Sequence, residues 1–143
     1  MERKGKMGRF SVEILVTNNH DVHSAADGTL SADQVRSVRI QGVVDSGAAD
    51  LVLPKSVVKQ LGLQEAGTAK VRYADHRTAT RAIVEEARVE ILGRHGTFRA
   101  LVEPARDTAL IGAIVLEVLD LVVDCRTKKL RKRDPRWVLS EIE

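Results

Sequence analysis

A single cysteine, Cys125, denies this chain an intrachain disulfide framework and fits a reducing compartment, of which the cytoplasm is the simplest. Aromatic residues are nearly as scarce, at 3%. The core therefore has to be built from Val, Leu, Ile and Ala, and the β-branched share of that set favours strands. No apolar run approaches the roughly 18 residues of a membrane span. Residues 1–6, MERKGK, lead into a strand pattern rather than into the apolar core of a signal peptide. A strong charge of one sign is missing too: the net charge is +3, with the excess near the C-terminus, and by itself it demands no nucleic-acid partner. What is present, 43% hydrophobic and 30% charged residues in 143, suits one soluble globular core. A function that needs two lobes would have to recruit a second chain.

Residues 10–17 (FSVEILVT) put Phe10, Val12, Ile14 and Val16 at one parity, the period of a half-buried strand. Residues 20–33 are polar, contain several aspartates and Gly28, and predict an exposed loop or hairpin tip. Residues 35–44 alternate and then become continuously apolar at Val43-Val44, as a strand entering the core does. Leu51-Val52-Leu53 is a short buried run, after which Pro54 suits the first position of a helix carrying Val57, Val58 and Leu61 and capped by Gly62. Residues 69–73 and 80–92 predict a β-hairpin with Ala74-Asp75-His76-Arg77 at its solvent-facing turn. Residues 97–103 form a further strand ended by Pro104. Residues 112–119 space Val115, Leu116 and Leu119 as a helix face does, and residues 121–125 return to strand character with Cys125 as a buried, inert thiol. The chain reads as all-β with one or two short helices.

An aspartate ending a buried strand, Asp45, needs a reason to be there. Asp45-Ser46-Gly47 alone is ordinary turn chemistry. Its surroundings are more specific: VVDSGAADLVLP at residues 43–54 is followed, in order, by ALIG at residues 109–112. Together with Tyr73-Ala74-Asp75, Leu61-Gly62-Leu63 and Leu116-Glu117-x-Leu119-x-Leu121-x-x-Asp124, the sequence resembles the retropepsin-like aspartic peptidases, in particular the small stand-alone predicted enzymes of prokaryotes. The resemblance spans residues 8–134, leaving residues 1–7 as a flexible N-terminus and residues 135–143 as a C-terminal tail.

The resemblance implies an acid-protease barrel with one lobe per chain. Because the chain holds one Asp-Ser-Gly, it also implies a homodimer whose two Asp45 carboxylates meet on the two-fold axis. Carboxylates about 3 Å apart share one proton, so one acts as base and the other as acid toward a water attacking the peptide bond. In the same resemblance Ser46 braces the two loops, Gly47 permits the turn and Ala48 leaves room beside the dyad. Residues Tyr73, Ala74, Asp75, His76 and Arg77 form the flap, without the glycine common there in relatives, and Ile111-Gly112 pack under the active-site loop. The chemistry calls for no metal and no cofactor. The partners implied are a second copy and a peptide or protein substrate.

Other features are weaker. His20, Asp21 and His23 offer two imidazoles and a carboxylate without further ligands. The basic run from Arg126 to Arg136 has only Trp137 for stacking, so nucleic acid is disfavoured. Asp50 and Asp124 lack the Asp-Ser-Gly context and are assigned structural roles. Leu51, Val52, Ile83, Val84 and Ile111 are expected to line an apolar cleft. The alternative to an endopeptidase is a dimer of the same fold that binds peptides without cutting them. A nucleic-acid adaptor built on the basic tail is the third possibility.

Overall fold

Strand β1 (Arg9–Asn18) opens the fold in the computed structural model, which describes residues 9–143; the expected flexible stretch 1–7 lies outside them. It runs antiparallel to β2 (Ser37–Asp45), with Arg9 opposite Asp45 and Thr17 opposite Ser37. Ile14 and Val16 point into the core while Ser11 and Glu13 face out, as the alternation requires.

The segment between these strands departs from expectation. In place of a loop at residues 20–33 there is a helix, α1 (Asn19–Ala26), followed by a 3-10 turn at Ala32–Gln34. Polar contacts hold it. Asn18 caps the helix by accepting the Asp21 N–H at 3.1 Å and donates its own amide to the Leu61 carbonyl at 2.8 Å. Asp21 is buried and accepts three hydrogen bonds from Arg36: from the backbone N–H at 3.0 Å, from Nε at 2.8 Å and from Nη2 at 3.0 Å. A helix pinned by a carboxylate leaves no apolar period to read.

The remaining elements are β3 (Leu51–Pro54), α2 (Lys55–Leu61), β4 (Glu65–Arg72), β5 (Thr78–Ile91), β6 (Arg94–Glu103), β7 (Ala109–Ile111), α3 (Ala113–Leu119), β8 (Leu121–Asp124) and β9 (Lys129–Lys132). Neighbours run β1-β2-β7-β3-β6-β5, and β5 pairs back onto β1, closing a six-stranded barrel. The architecture is mostly β with three short helices among the described residues, one more than the sequence pattern predicts because α1 is cryptic. Strand β5 serves two purposes. Its second half, from Ala87, pairs with β1 and β6 inside the barrel, while its first half pairs with β4 in a projecting arm and stays bonded to β6 at Ile83 and Val84. A bulge between Val84 and Ala87, with Glu86 at φ +64, separates the two halves and re-aims the arm.

The core is aliphatic, with Ile14, Val16, Val44, Leu51, Leu53, Leu61, Ile91, Ile111 and Leu119 almost wholly removed from solvent. Pro54 stands one place earlier than expected, as the residue before α2, and Gly62 ends that helix in the left-handed conformation at φ +67. Cys125 is exposed, contrary to expectation. Strand β8 stops at Asp124, whose carboxylate accepts the N–H groups of Arg126 at 3.0 Å and Thr127 at 3.3 Å and so turns the chain before the thiol can enter the core. Arg94, buried at 3% exposure, donates to the carbonyls of Leu119, Asp120 and Asp134 and lies 5.4 Å from the Trp137 ring, tying the C-terminal segment to the barrel.

The Asp21 carboxyl is held below its ordinary value of 3.8, chiefly by its hydrogen bonds to Arg36. Its contribution to stability is therefore whole above the unfolded carboxylate range and fades as pH falls through the depressed folded value. Asp21→Asn is expected to cost about 1–3 kcal/mol at neutral pH and to remove part of the loss on acidification. Urea midpoints measured between neutral and strongly acidic pH check both; a variant that keeps the wild-type acid slope contradicts the assignment.

Candidate active site

Strand β2 delivers Asp45 at its last position, half-buried, and the chain then folds back on that residue. The Gly47 N–H donates to Asp45 Oδ1 at 3.0 Å and the Ala48 N–H donates to the Asp45 carbonyl at 3.1 Å. A Cβ on Gly47 would stand 3.3 Å from Asp45 Oδ1, so glycine keeps the loop close around the carboxylate. Ser46 and Gly47 are exposed and Ala48 is partly covered.

Parallel pairing of β2 with β7 sets Val44 beside Ile111 and brings Gly112 against the loop. The Ala48 carbonyl accepts the Ala113 N–H at 2.8 Å and the Ala49 carbonyl accepts the Ile114 N–H at 3.0 Å. The loop thus satisfies two of the N–H groups that the first turn of α3 leaves unpaired. Gly112 itself leaves no space: a Cβ there would lie 2.6 Å from the carbonyl oxygens of both Ala49 and Asp50. Those atoms are backbone and cannot swing away. Ile111 is fully buried beneath.

The arm formed by β4 and β5 carries residues 73–77 at its tip. The Tyr73 N–H donates to the Arg77 carbonyl at 2.8 Å and the His76 N–H donates to the Tyr73 carbonyl at 2.9 Å. Asp75 accepts from the Arg77 backbone at 3.0 Å and from its Nε at 2.8 Å. His76 sits at φ +71, the left-handed region that glycine enters without strain, so the turn keeps the geometry while lacking the residue that suits it. At the base of the tip the Tyr73 hydroxyl donates to Glu103 Oε2 at 2.5 Å, and Arg81 Nε donates to that hydroxyl at 3.0 Å and to Glu103 Oε1 at 3.2 Å. Glu103 first, and burial second, push the Tyr73 phenol above its ordinary range. Sequence reasoning missed Arg81 and Glu103; they lie 22 positions apart, and only the pairing of β5 with β6 joins them.

Between the Asp45 loop and this arm lies a cleft of about 390 Å³. Its apolar wall is Val52, Val71, Leu101 and Leu110. Of the five residues expected to line it, Val52 does so. Leu51, Val84 and Ile111 are instead fully buried, because strand alternation turns them inward, and Ile83 does not reach the cleft. A second hollow, of about 400 Å³ near His20, Arg36 and Glu86, shares no residue with it. His20 and His23 find no third ligand: Asp21 is committed to Arg36, and no metal-binding cluster occurs among the described residues. Asp50 pairs with Arg99 at 3.4 Å, outside the cleft lining.

Gly112→Ala should therefore be among the most damaging single-methyl changes in the protein. We expect a loss of about 3 kcal/mol, read as a fall in the thermal midpoint. Wild-type stability in that variant would mean the packing of β7 against the loop is looser than described.

Comparison with known proteins agrees with this geometry. The family model described as aspartyl protease matches residues 27–115, more than half of the chain, from the end of α1 into the first turn of α3. The protease of EIAV, in complex with the inhibitor HBY-793, superposes with a TM-score of 0.54 at 15% identity, over 76% of this chain and 86% of that one. The protease of simian foamy virus (mac) gives 0.48 at 14% identity, over 75% and 91%. A foamy viral protease–reverse transcriptase bound to an RNA/DNA hybrid gives 0.46 at 19% identity over 55% of this chain, which spans only 10% of that longer protein. No curated protein matches in sequence. With the family model covering Asp45, Ser46, Gly47 and Gly112 and the barrel shared with a retroviral protease, the chain belongs to the aspartyl proteases of retropepsin-like fold.

Proposed function

We propose that the protein is a homodimeric aspartic endopeptidase in which each chain supplies one Asp45. The observation that carries this reading is that the one Asp-Ser-Gly of the chain sits at a cleft it shares with the tip of a projecting hairpin. A single carboxylate cannot be both base and acid in one step. Two copies related by a two-fold axis supply the pair, and a shared proton gives each its role.

The base Asp45 takes a proton from a water held between the carboxylates as the water oxygen attacks the peptide carbonyl. The acid Asp45 protonates the carbonyl oxygen, leaving a neutral tetrahedral diol. Collapse of the diol, with a proton delivered to the amide nitrogen, breaks the C–N bond. Ser46 braces the paired loops, and Gly47, Ala48 and the Ile111-Gly112 step hold each carboxylate in place. Residues 73–77 cover the substrate, and Arg81 and Glu103 anchor that cover through Tyr73. The single cysteine supports a cytoplasmic address. No helix among the described residues is long and apolar enough to cross a membrane.

A peptide-library digest by wild type and by Asp45→Asn tests the reading, with sedimentation of both. Wild type should cut, and the variant should lose about 10²–10⁴-fold in rate while remaining a dimer. Equal cleavage by both removes Asp45 from the mechanism. Peptide binding by both with cleavage by neither would assign the protein to the binding class.

A further inference from the structure

The cleft beside Asp45 holds more positive charge than its own carboxylates balance. Arg72, Arg81 and Arg106 line it together with Asp45 and Glu103. Arg81 is occupied by Glu103 and Tyr73. Arg106 is held by neutral acceptors alone: Nε donates to the Thr108 carbonyl at 3.0 Å, and Nη2 donates to Thr108 Oγ1 at 3.0 Å and to the Ala109 carbonyl at 3.4 Å. No carboxylate forms an ion pair with Arg72 or Arg106 among the described residues.

Three bonds to its own loop fix the Arg106 guanidinium, so little side-chain entropy remains to be lost on binding. The group is partly buried beside Leu110 and Leu101, where a charge interacts more strongly than in open water. Nη1 makes no hydrogen bond among the described residues. A fixed, part-desolvated cation with open donors and no counter-ion matches a planar anion of carboxylate shape.

We propose that Arg106, assisted by Arg72, selects peptides that carry a glutamate or aspartate side chain beside the bond to be cut. The inference rests on the reading of this cleft as the substrate site. It differs from the apolar preference that the cleft's aliphatic wall alone would give: Val52, Val71, Leu101 and Leu110 take up the methylenes while Arg106 meets the carboxylate.

The test uses matched peptides that differ only by Glu against Gln at each position flanking a cleaved bond. The ratio of kcat/KM, acid over amide, is measured for wild type, Arg106→Gln and Arg72→Gln. Wild type should favour Glu by about tenfold or more at one position, and Arg106→Gln should bring that ratio to within about threefold of one. The exposed Arg72 side chain makes no hydrogen bond or ion pair among the described residues, so its variant is expected to fold as wild type and should lower the ratio partway. The dissociation constants of the same peptides are measured on Asp45→Asn protein, or on wild type should wild type prove unable to cut. Glu should bind about tenfold tighter at low salt, with the gap narrowing as salt is raised. A failed digest with the binding gap intact would overturn the enzymatic reading and leave standing the recognition of an acidic side chain by Arg106 in this cleft. Equal handling of Glu and Gln by wild type overturns the inference, as does a preference that survives in both arginine variants. Loss of stability in Arg106→Gln with no change in the ratio would make Arg106 a brace of its loop and nothing more.

Discussion

Where Gly112 meets the carbonyl oxygens of Ala49 and Asp50, backbone lies against backbone with no room for a methyl group. The contact fixes the distance between β7 and the loop that follows Asp45. From that distance follow the two hydrogen bonds by which α3 starts on the loop's carbonyls, and the parallel register that sets Val44 beside Ile111. The carboxylate of Asp45 is thereby mounted on the barrel wall rather than on a free loop. The proposed pairing of two Asp45 carboxylates, each held within about 0.5 Å of a productive position, would need such a mount.

The other side of the cleft is built on a different principle. The arm of β4 and β5 leaves the barrel at a bulge, and β4 is exposed along most of its length. Its tip is tied back through one small polar cluster, Tyr73 with Glu103 and Arg81. A floor locked by backbone packing and a hairpin tip held by a few side-chain bonds fit the proposed site, in which chemistry needs rigidity and substrate entry needs motion.

Much of this was legible in the sequence. Strands β1 and β2 announced themselves by alternation, α2 by its apolar spacing and Gly62, and α3 by Val115, Leu116 and Leu119, because in each the burying face is made of apolar residues. Helix α1 was hidden since its anchor is a carboxylate, Asp21, whose partner lies 15 residues on. Cys125 was misplaced because apolar neighbours suggested a strand continuing through it, whereas Asp124 turns the chain one residue earlier. Within the site, Asp45, Ser46 and Gly47 formed a motif that could be read directly. Arg81 and Glu103 meet only when β5 pairs with β6, and Arg106, held within its own loop, belongs to no motif, so neither the anchor of the hairpin tip nor the charge of the cleft could be seen in advance.

The central claim is that one chain carries half of a catalytic pair. Specific activity measured over a dilution series, beside the dimer fraction from sedimentation at the same concentrations, tests it most directly. The account predicts that activity per chain rises with concentration and levels off along the dimer curve. Constant activity per chain at concentrations where the protein is monomeric would contradict it.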